Sequence, residues 1–528
     1  MADIFRTRSV YGVVTRRDRV STVLDRCCLP RTSDPAVPSR VASLPWRSIL
    51  EPGRNCWRVE RAERASALVD AACYFSRLEQ ALKIARRSIL IVGWDFDARI
   101  RLRPDAGEAS PPLGDLLRSL VESHSGLEIR ILVWSIATLH APGETLPLLV
   151  GAEWQRHPRI HLRLDQEHPI YAAHHQKIVC IDDCLAFAGG IDLTVERWDT
   201  ARHAADDPAR LTPEGSPYEP VHDLQMAVDG AAARAIADLA RLRWRIATNQ
   251  ALEPVDSNAQ CWPDGLEPDF IGAPVAIART APHWGDNPAI REVAALTVDM
   301  LSAARHSIYI EAQYLVSFAI GHLLAQHLAR QDGPDIAIVT TYALPGAFER
   351  FVMGSNRDRL IRRMKRADRF DRLRVYHPVV PAADGECEVL IHAKLIIVDD
   401  TFVRIGSSNL NNRSVGLDTE CDLAIEARSD LERQGIARLR ERLLGEHLGV
   451  SPESVAQAVA ANGSLVRAID AMNHNARGLR AFRAMTTRGP ARPILGTWLL
   501  DPHRPFEPLW FLRKRRRRRT GSYQRQPG

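Results

Sequence analysis

Two short segments of the chain share one pattern, HxKxxxxD: His175, Lys177 and Asp182, then His392, Lys394 and Asp399. The sequence holds only five lysines, Lys83, Lys177, Lys365, Lys394 and Lys514, against 70 lysines and arginines together, and two of the five fall in the pattern. An ammonium is a compact point charge on a flexible stem and a guanidinium is a planar fork, so these positions ask for the former. Two imidazoles and two ammoniums suit in-line displacement at a phosphodiester. One neutral imidazole attacks phosphorus, the other protonates the departing alcohol, and the ammoniums stabilise the oxygens where negative charge grows. The lysines supply the positive charge, so neither a metal nor another cofactor is required.

The segments that carry these residues read as strands. His175 to Ile181 alternates, which puts His175 and Lys177 on one face and His174 on the other, where a structural role is expected. Asp182, beside Asp183, suits a turn and a structural task within the motif. His392 to Val398 repeats the pattern, turns at Asp399-Asp400 and returns to Gly406-Ser407-Ser408-Asn409. Small residues there would let a phosphate approach backbone amides, so Gly189, Gly190, Asp192, Ser407 and Asn409 are assigned to substrate positioning. Each histidine needs a partner on its second nitrogen, and Asp223 and Asp422 are the candidates, with Glu420 the alternative to Asp422. Asp95 and Asp97 give an incomplete oxygen shell, and Cys180 and Cys184 lack companions for zinc, so no metal site is assigned.

The positioning elements recur as well. Ala65 to Ala85 has helical spacing and leads into an apolar run, Ser88 to Trp94; Ala294 to Ala304 leads likewise into Ser307 to Glu311. Ser88 maps to Ser307, His175 to His392 and Gly189 to Gly406, which marks an internal repeat. The expected fold is α/β: two homologous α/β/α-sandwich lobes with mixed central sheets, packed about a pseudo-two-fold axis. The boundaries are a loosely ordered extension over 1–45, a first lobe over 46–252, a Pro-rich linker over 253–275, a second lobe over 276–475, and a C-terminal segment over 476–528. Leu431 to Leu448 and Pro452 to Met472 read as helices.

Composition excludes several classes. With 45% apolar and 25% charged residues, the chain is an ordinary globular protein, neither disordered nor fibrous. Nine cysteines without a CxxC pair, Cys27 and Cys28 being adjacent, argue against a disulfide framework and for a reducing, cytoplasmic setting. No apolar run is long enough for a membrane span, and no secretory signal is visible. The net charge of +6 owes much to the run Arg513 to Arg519, which suits peripheral contact with anionic lipid or a solvated tail.

These motifs resemble the phospholipase D superfamily. The likeness runs from about residue 45 to 430 and includes Gly93-Trp94-Asp95-Phe96-Asp97, Gly189-Gly190-Ile191-Asp192-Leu193, Arg197-Trp198-Asp199, Pro217 to Asp223, Ile308 to Tyr314 and Gly406 to Ser414. The resemblance implies a phosphohistidine intermediate, with His175 as nucleophile and His392 as acid, acting on a glycerophospholipid to give phosphatidic acid and free head group or a transferred phosphatidyl group. Gly190 and Asp192 stand where the second lobe has Ser407 and Asn409, a variant that looks like the phospholipase branch. A cardiolipin synthase-like transferase, a nuclease of the same superfamily and a non-catalytic lipid-binding scaffold are the rivals. A monomer is expected, with phospholipid as its partner and nucleic acid disfavoured.

Overall fold

A computed structural model describes residues 48–135, 152–256, 260–343, 350–494, 496, 497 and 501–505. The N-terminal extension and the basic run Arg513 to Arg519 lie outside them. Ser48 opens the unit to which all of these residues belong.

Two sheets repeat one strand order. The first runs Phe270–Ile271, Arg64–Val69, Leu224–Asp229, Leu185–Gly189, Ile178–Ile181, Ser88–Gly93, Glu128–Trp134, Ile160–Asp165. The second runs Arg58–Arg61, Pro274–Ala281, Glu420–Glu426, Phe402–Gly406, Lys394–Val398, Ser307–Ala312, Asp335–Thr340, Leu373–Ala382, Gly385–Glu388. In each, three neighbouring strands are parallel and the HxK hairpin joins them antiparallel. These are the mixed sheets expected from the repeat.

Burial on both faces accounts for the continuous apolar runs: all six residues of Ser88–Gly93 and of Asp335–Thr340 are buried. Side chains still alternate, Ile89 and Ile91 facing helices Ala71–Ile84 and Leu113–Ser123, Leu90 and Val92 facing inward. The inner faces of both sheets close on one shared core with helices Gly230–Thr248 and Asp430–Leu448. Helices Glu292–Ala303, Phe318–Ala329 and Ser355–Ala367 cover the outer face of the second sheet. No described helix is long and apolar enough to cross a membrane.

Three expectations need correction. The periodic stretch from Ala65 is a strand as far as Val69, because its backbone is captured between Leu224–Asp229 and Phe270–Ile271; the helix starts at Ala71. The lobe boundaries are crossed in both directions. Strand Arg58–Arg61 lies on the edge of the second sheet and strand Phe270–Ile271 on the edge of the first, so each lobe is completed by residues preceding the other's first long strand. Finally, Cys184 and Cys261 form a disulfide across 77 residues of sequence, while Cys56, Cys73, Cys180, Cys387 and Cys421 are free. That bridge removes the cysteine argument for a reducing compartment.

Candidate active site

Each HxK segment is sewn to the opposite lobe by backbone hydrogen bonds. His175 N–H donates to the Thr419 carbonyl (2.9 Å) and Thr419 N–H to that of Ala173 (2.9 Å). Correspondingly, His392 N–H donates to the His222 carbonyl (2.8 Å), beside the parallel pairing of Leu390–Ile391 with Val221–His222. Only the later part of each motif is regular strand, since the histidines sit where the chain crosses between lobes.

The stitching decides which carboxylate each imidazole meets. His175 Nδ1 lies 3.0 Å from Glu420 Oε2 and 2.9 Å from the Ser407 carbonyl; His392 Nδ1 lies 2.6 Å from Asp223 Oδ2. Both orienting contacts cross the lobe boundary. A carbonyl can only accept, so His175 Nδ1 carries the proton and Nε2 keeps its lone pair. The side chains of His175 and His392 are 16% and 10% exposed, so an edge of each can be reached from outside.

Asp422 does not orient a histidine. It accepts from the Ser407 and Ser408 amides at 3.0 and 3.1 Å and faces Arg404 at 3.3 Å. Strand register explains the difference: Gly406 pairs with Asp422 as Gly189 pairs with Gln225. Glu420 is therefore the repeat partner of Asp223, and the look-alike Asp-Leu pairs in sequence are offset by two residues.

Lys177 and Lys394 each donate to the carbonyl of their own motif histidine. Beyond that they differ. Lys177 meets Asp192 Oδ2 at 2.9 Å, a carboxylate fixed by the Trp94 amide, whereas Lys394 meets the neutral Gln313 side chain at 3.0 Å. Burial and then the charges of Lys177 and Arg197 press Lys394 down to about 7, against the pull of Asp223 and Glu420. Burial likewise lifts Glu420 to about 7, although Ser407 and Ser414 donate to it and both lysines favour its ionised form. His175 falls well below the usual imidazole range through burial and the charges of Lys177 and Lys394; His392 does so through burial and Lys394. Asp223, despite its burial, is held below the usual carboxylate range by His392 and Lys394. The ammonium of one lobe thus acts on the imidazole and the ammonium of the other.

The remaining motif residues serve as framework. Asp182 accepts from the amides of Arg86, Arg87 and Ser88, and Asp399 from those of Arg305, His306 and Ser307, at 2.7 to 3.0 Å. Both lie at the far end of their strands from the imidazoles. The glycines are small because of protein, not phosphate: a Cβ on Gly190 would overlap the Asp223 carboxylate and one on Gly406 that of Asp422. Gly190 N–H donates to the Leu224 carbonyl and the Ser407 side chain to Glu420, so neither is poised for substrate. Asp192 is the counter-ion of Lys177. Of the assigned positioning residues, Asn409 Oδ1 and Asp192 Oδ2 are buried with no hydrogen-bond partner among the described residues, and Asp192 Oδ2 has the Lys177 ammonium at 2.9 Å.

His174 is structural, as its face implied, contacting Thr419 and Asp165. Asp95 accepts from Thr194 and Asp97 pairs with Arg99. Trp198 and Tyr309 belong to the core. Gln313 and Ser414 lie within the repeated motifs, but neither residue type signals a role in sequence on its own.

The family described as "Cardiolipin synthase, PLD-like domain" matches residues 297–440. Phospholipase D A of Dictyostelium discoideum is 25% identical over 73% of this chain and 35% of its own length. Phospholipase D1 of Schizosaccharomyces pombe is 22% identical over 74% of this chain and 36% of its own. The chain thus spans about a third of the length of these relatives. The crystal structure of a phosphatidylserine synthase of Haemophilus influenzae shares the fold, with a TM-score of 0.52 and 14% identity over 79% of this chain and 98% of that one. Matching relatives, a matching fold and a twice-repeated HxKxxxxD motif whose two copies interlock across the lobes agree in supporting one family for the chain, the phospholipase D superfamily.

Proposed function

We propose that the chain is a phosphodiesterase of the phospholipase D type, which transfers the phosphatidyl group of a glycerophospholipid to His175 and then to water or another alcohol. One observation carries the reading: each imidazole is oriented by a carboxylate of the opposite lobe, and the Lys394 charge of the second lobe bears on His175 of the first. His175 presents an unprotonated Nε2 for attack, supporting its role as nucleophile. His392 is tied to Asp223, the carboxylate held in its ionised form, which favours an imidazolium and hence the role of acid. Burial and lysine charge favour the neutral form of both imidazoles. An anionic phosphodiester would offset the lysines and let His392 take up the proton it later gives to the head group.

Atoms balance in two steps. The His175 Nε2–P bond forms as the P–O bond to the head group breaks and His392 protonates the leaving oxygen. Water or an alcohol then loses its proton to His392 and displaces His175, giving phosphatidic acid or a new phosphatidyl ester. Transfer is favoured over hydrolysis to the extent that the nearly closed imidazoles restrict water.

The test uses vesicles of head-group-labelled phosphatidylcholine or phosphatidylglycerol, with and without added glycerol. Free head group with phosphatidic acid supports the hydrolase; product formed only when an alcohol acceptor is present contradicts it in favour of a transferase. Cleavage of plasmid under chelation, with no lipid turnover, would overturn the lipid reading.

A further inference from the structure

Behind His392 lies a second cluster of ionisable groups that the phosphoryl chemistry leaves unused. Asp70 precedes the first helix of the first lobe, His203 and His222 belong to the loop and strand leading to Asp223, and Glu446 reaches in from helix Asp430–Leu448 of the second lobe. One donor atom from each lies within 4.8 Å of all the others. His222 Nδ1 is 3.0 Å from both Asp70 Oδ1 and Glu446 Oε1; His203 Nε2 is 3.0 Å from Glu446 Oε1 and 3.7 Å from Asp70 Oδ2. A tetrahedron around zinc, with bonds of about 2.0 Å, has edges of about 3.3 Å.

Two further observations separate this cluster from an ordinary ion-pair network. Both Asp70 oxygens and His222 Nδ1 are fully buried and complete no hydrogen bond among the described residues, although their distances are short. Of the inward contacts, His203 Nε2 to Glu446 Oε1 completes a hydrogen bond at 3.0 Å, whereas His222 Nδ1 stands at bonding distance from Asp70 and Glu446 in directions that do not suit a proton between them. In addition, each imidazole has a carboxylate on its outer nitrogen: Asp199 Oδ2 at 2.9 Å from His203 Nδ1, and Glu311 Oε2 at 2.9 Å from His222 Nε2. Such outer carboxylates fix a histidine tautomer so that the inner nitrogen offers its lone pair to a metal.

We propose that Asp70, His203, His222 and Glu446 form a four-coordinate site for a divalent cation of the zinc class. Two imidazole nitrogens with two carboxylates disfavour calcium and magnesium, which take oxygen donors. The ion is a staple, not a participant in phosphoryl transfer. It ties the helix carrying Glu446 to the segment carrying His222, whose carbonyl accepts from His392 N–H and whose neighbour Asp223 orients the His392 ring.

The test is metal binding by the full chain, measured with zinc or cobalt(II) alone. After dialysis against a chelator, the folded protein should take up a single tight equivalent, cobalt should give the intense visible bands of tetrahedral coordination, and the melting temperature should rise. His203→Gln and Asp70→Asn should each remove the bands. Asp199→Asn, which spares every ligand, should weaken cobalt binding about 10- to 100-fold. A variant lacking both His175 and His392 should still bind. The proposal is overturned if wild-type protein with a cooperative melt binds no equivalent of either ion. It is equally overturned if binding survives His203→Gln and Asp70→Asn or disappears with the two motif histidines.

Discussion

At the scale of the residue, the two imidazoles are alike in type and unlike in partner, and their roles can be separated by leaving group. Replacing His175 with Asn should reduce turnover by at least about a thousandfold with any phosphatidyl ester, because no nucleophile remains. Replacing His392 with Asn should cost as much with phosphatidylcholine and at least about tenfold less with a p-nitrophenyl ester, whose leaving oxygen needs no proton. Steady-state kinetics on the two esters checks this, and equal losses for both variants on both esters would contradict the assignment. The pH profile follows from Lys394 and Glu420, both placed at about 7. As pH rises through that value Lys394 loses the charge that stabilises the phosphoryl oxygens; as pH falls through it Glu420 loses the charge that supports His175. A bell in kcat/KM centred near neutrality is expected, its limbs reporting the coupled set. Glu420→Gln should flatten the acid limb.

At the scale of the element, Asp182 and Asp399 are turn anchors, each collecting three backbone N–H groups at the start of a central strand. Hydrogen bonds to charged groups contribute about 1.5–3 kcal/mol each, and loss of a partner strands buried donors. Asp182→Ala should therefore lower the unfolding free energy by about 3 kcal/mol, read from denaturant titration, while the folded fraction keeps its kcat. The strands themselves were legible in sequence because buried central strands are unbroken apolar runs, and the hairpin turns because paired aspartates tolerate positive φ, as Asp182, Asp183 and Asp399 do. The strand at Arg64–Val69 was not, since its spacing also fits a helix and only its sheet neighbours decide. Nor was the task of Gly190 and Gly406, because a small residue looks the same whether it admits a phosphate or a neighbouring carboxylate.

At the scale of the whole molecule, the repeat in sequence revealed two lobes but not their exchange. Histidine and carboxylate partners lie more than 160 positions apart, and nothing local to either motif shows that Asp223 serves His392 and Glu420 serves His175. The disulfide is silent in sequence for the same reason. Closing a loop of 77 residues, it should contribute about 4.5 kcal/mol in the chain-entropy description. Mild reduction should accordingly lower the melting temperature without abolishing turnover, as the bridge sits at the turn after Asp182, remote from the imidazoles. What joins the scales is a covalent intermediate that both lobes must cooperate to form. Rapid acid-free quenching of the enzyme with phosphorus-labelled phosphatidylcholine, followed by peptide mapping, measures it directly. Label on His175 of the wild-type enzyme, accumulating in the His392→Asn variant when the donor is the phosphorus-labelled p-nitrophenyl ester and absent from His175→Asn, is the predicted result. Label on His392, or turnover with no labelled histidine at all, would contradict it.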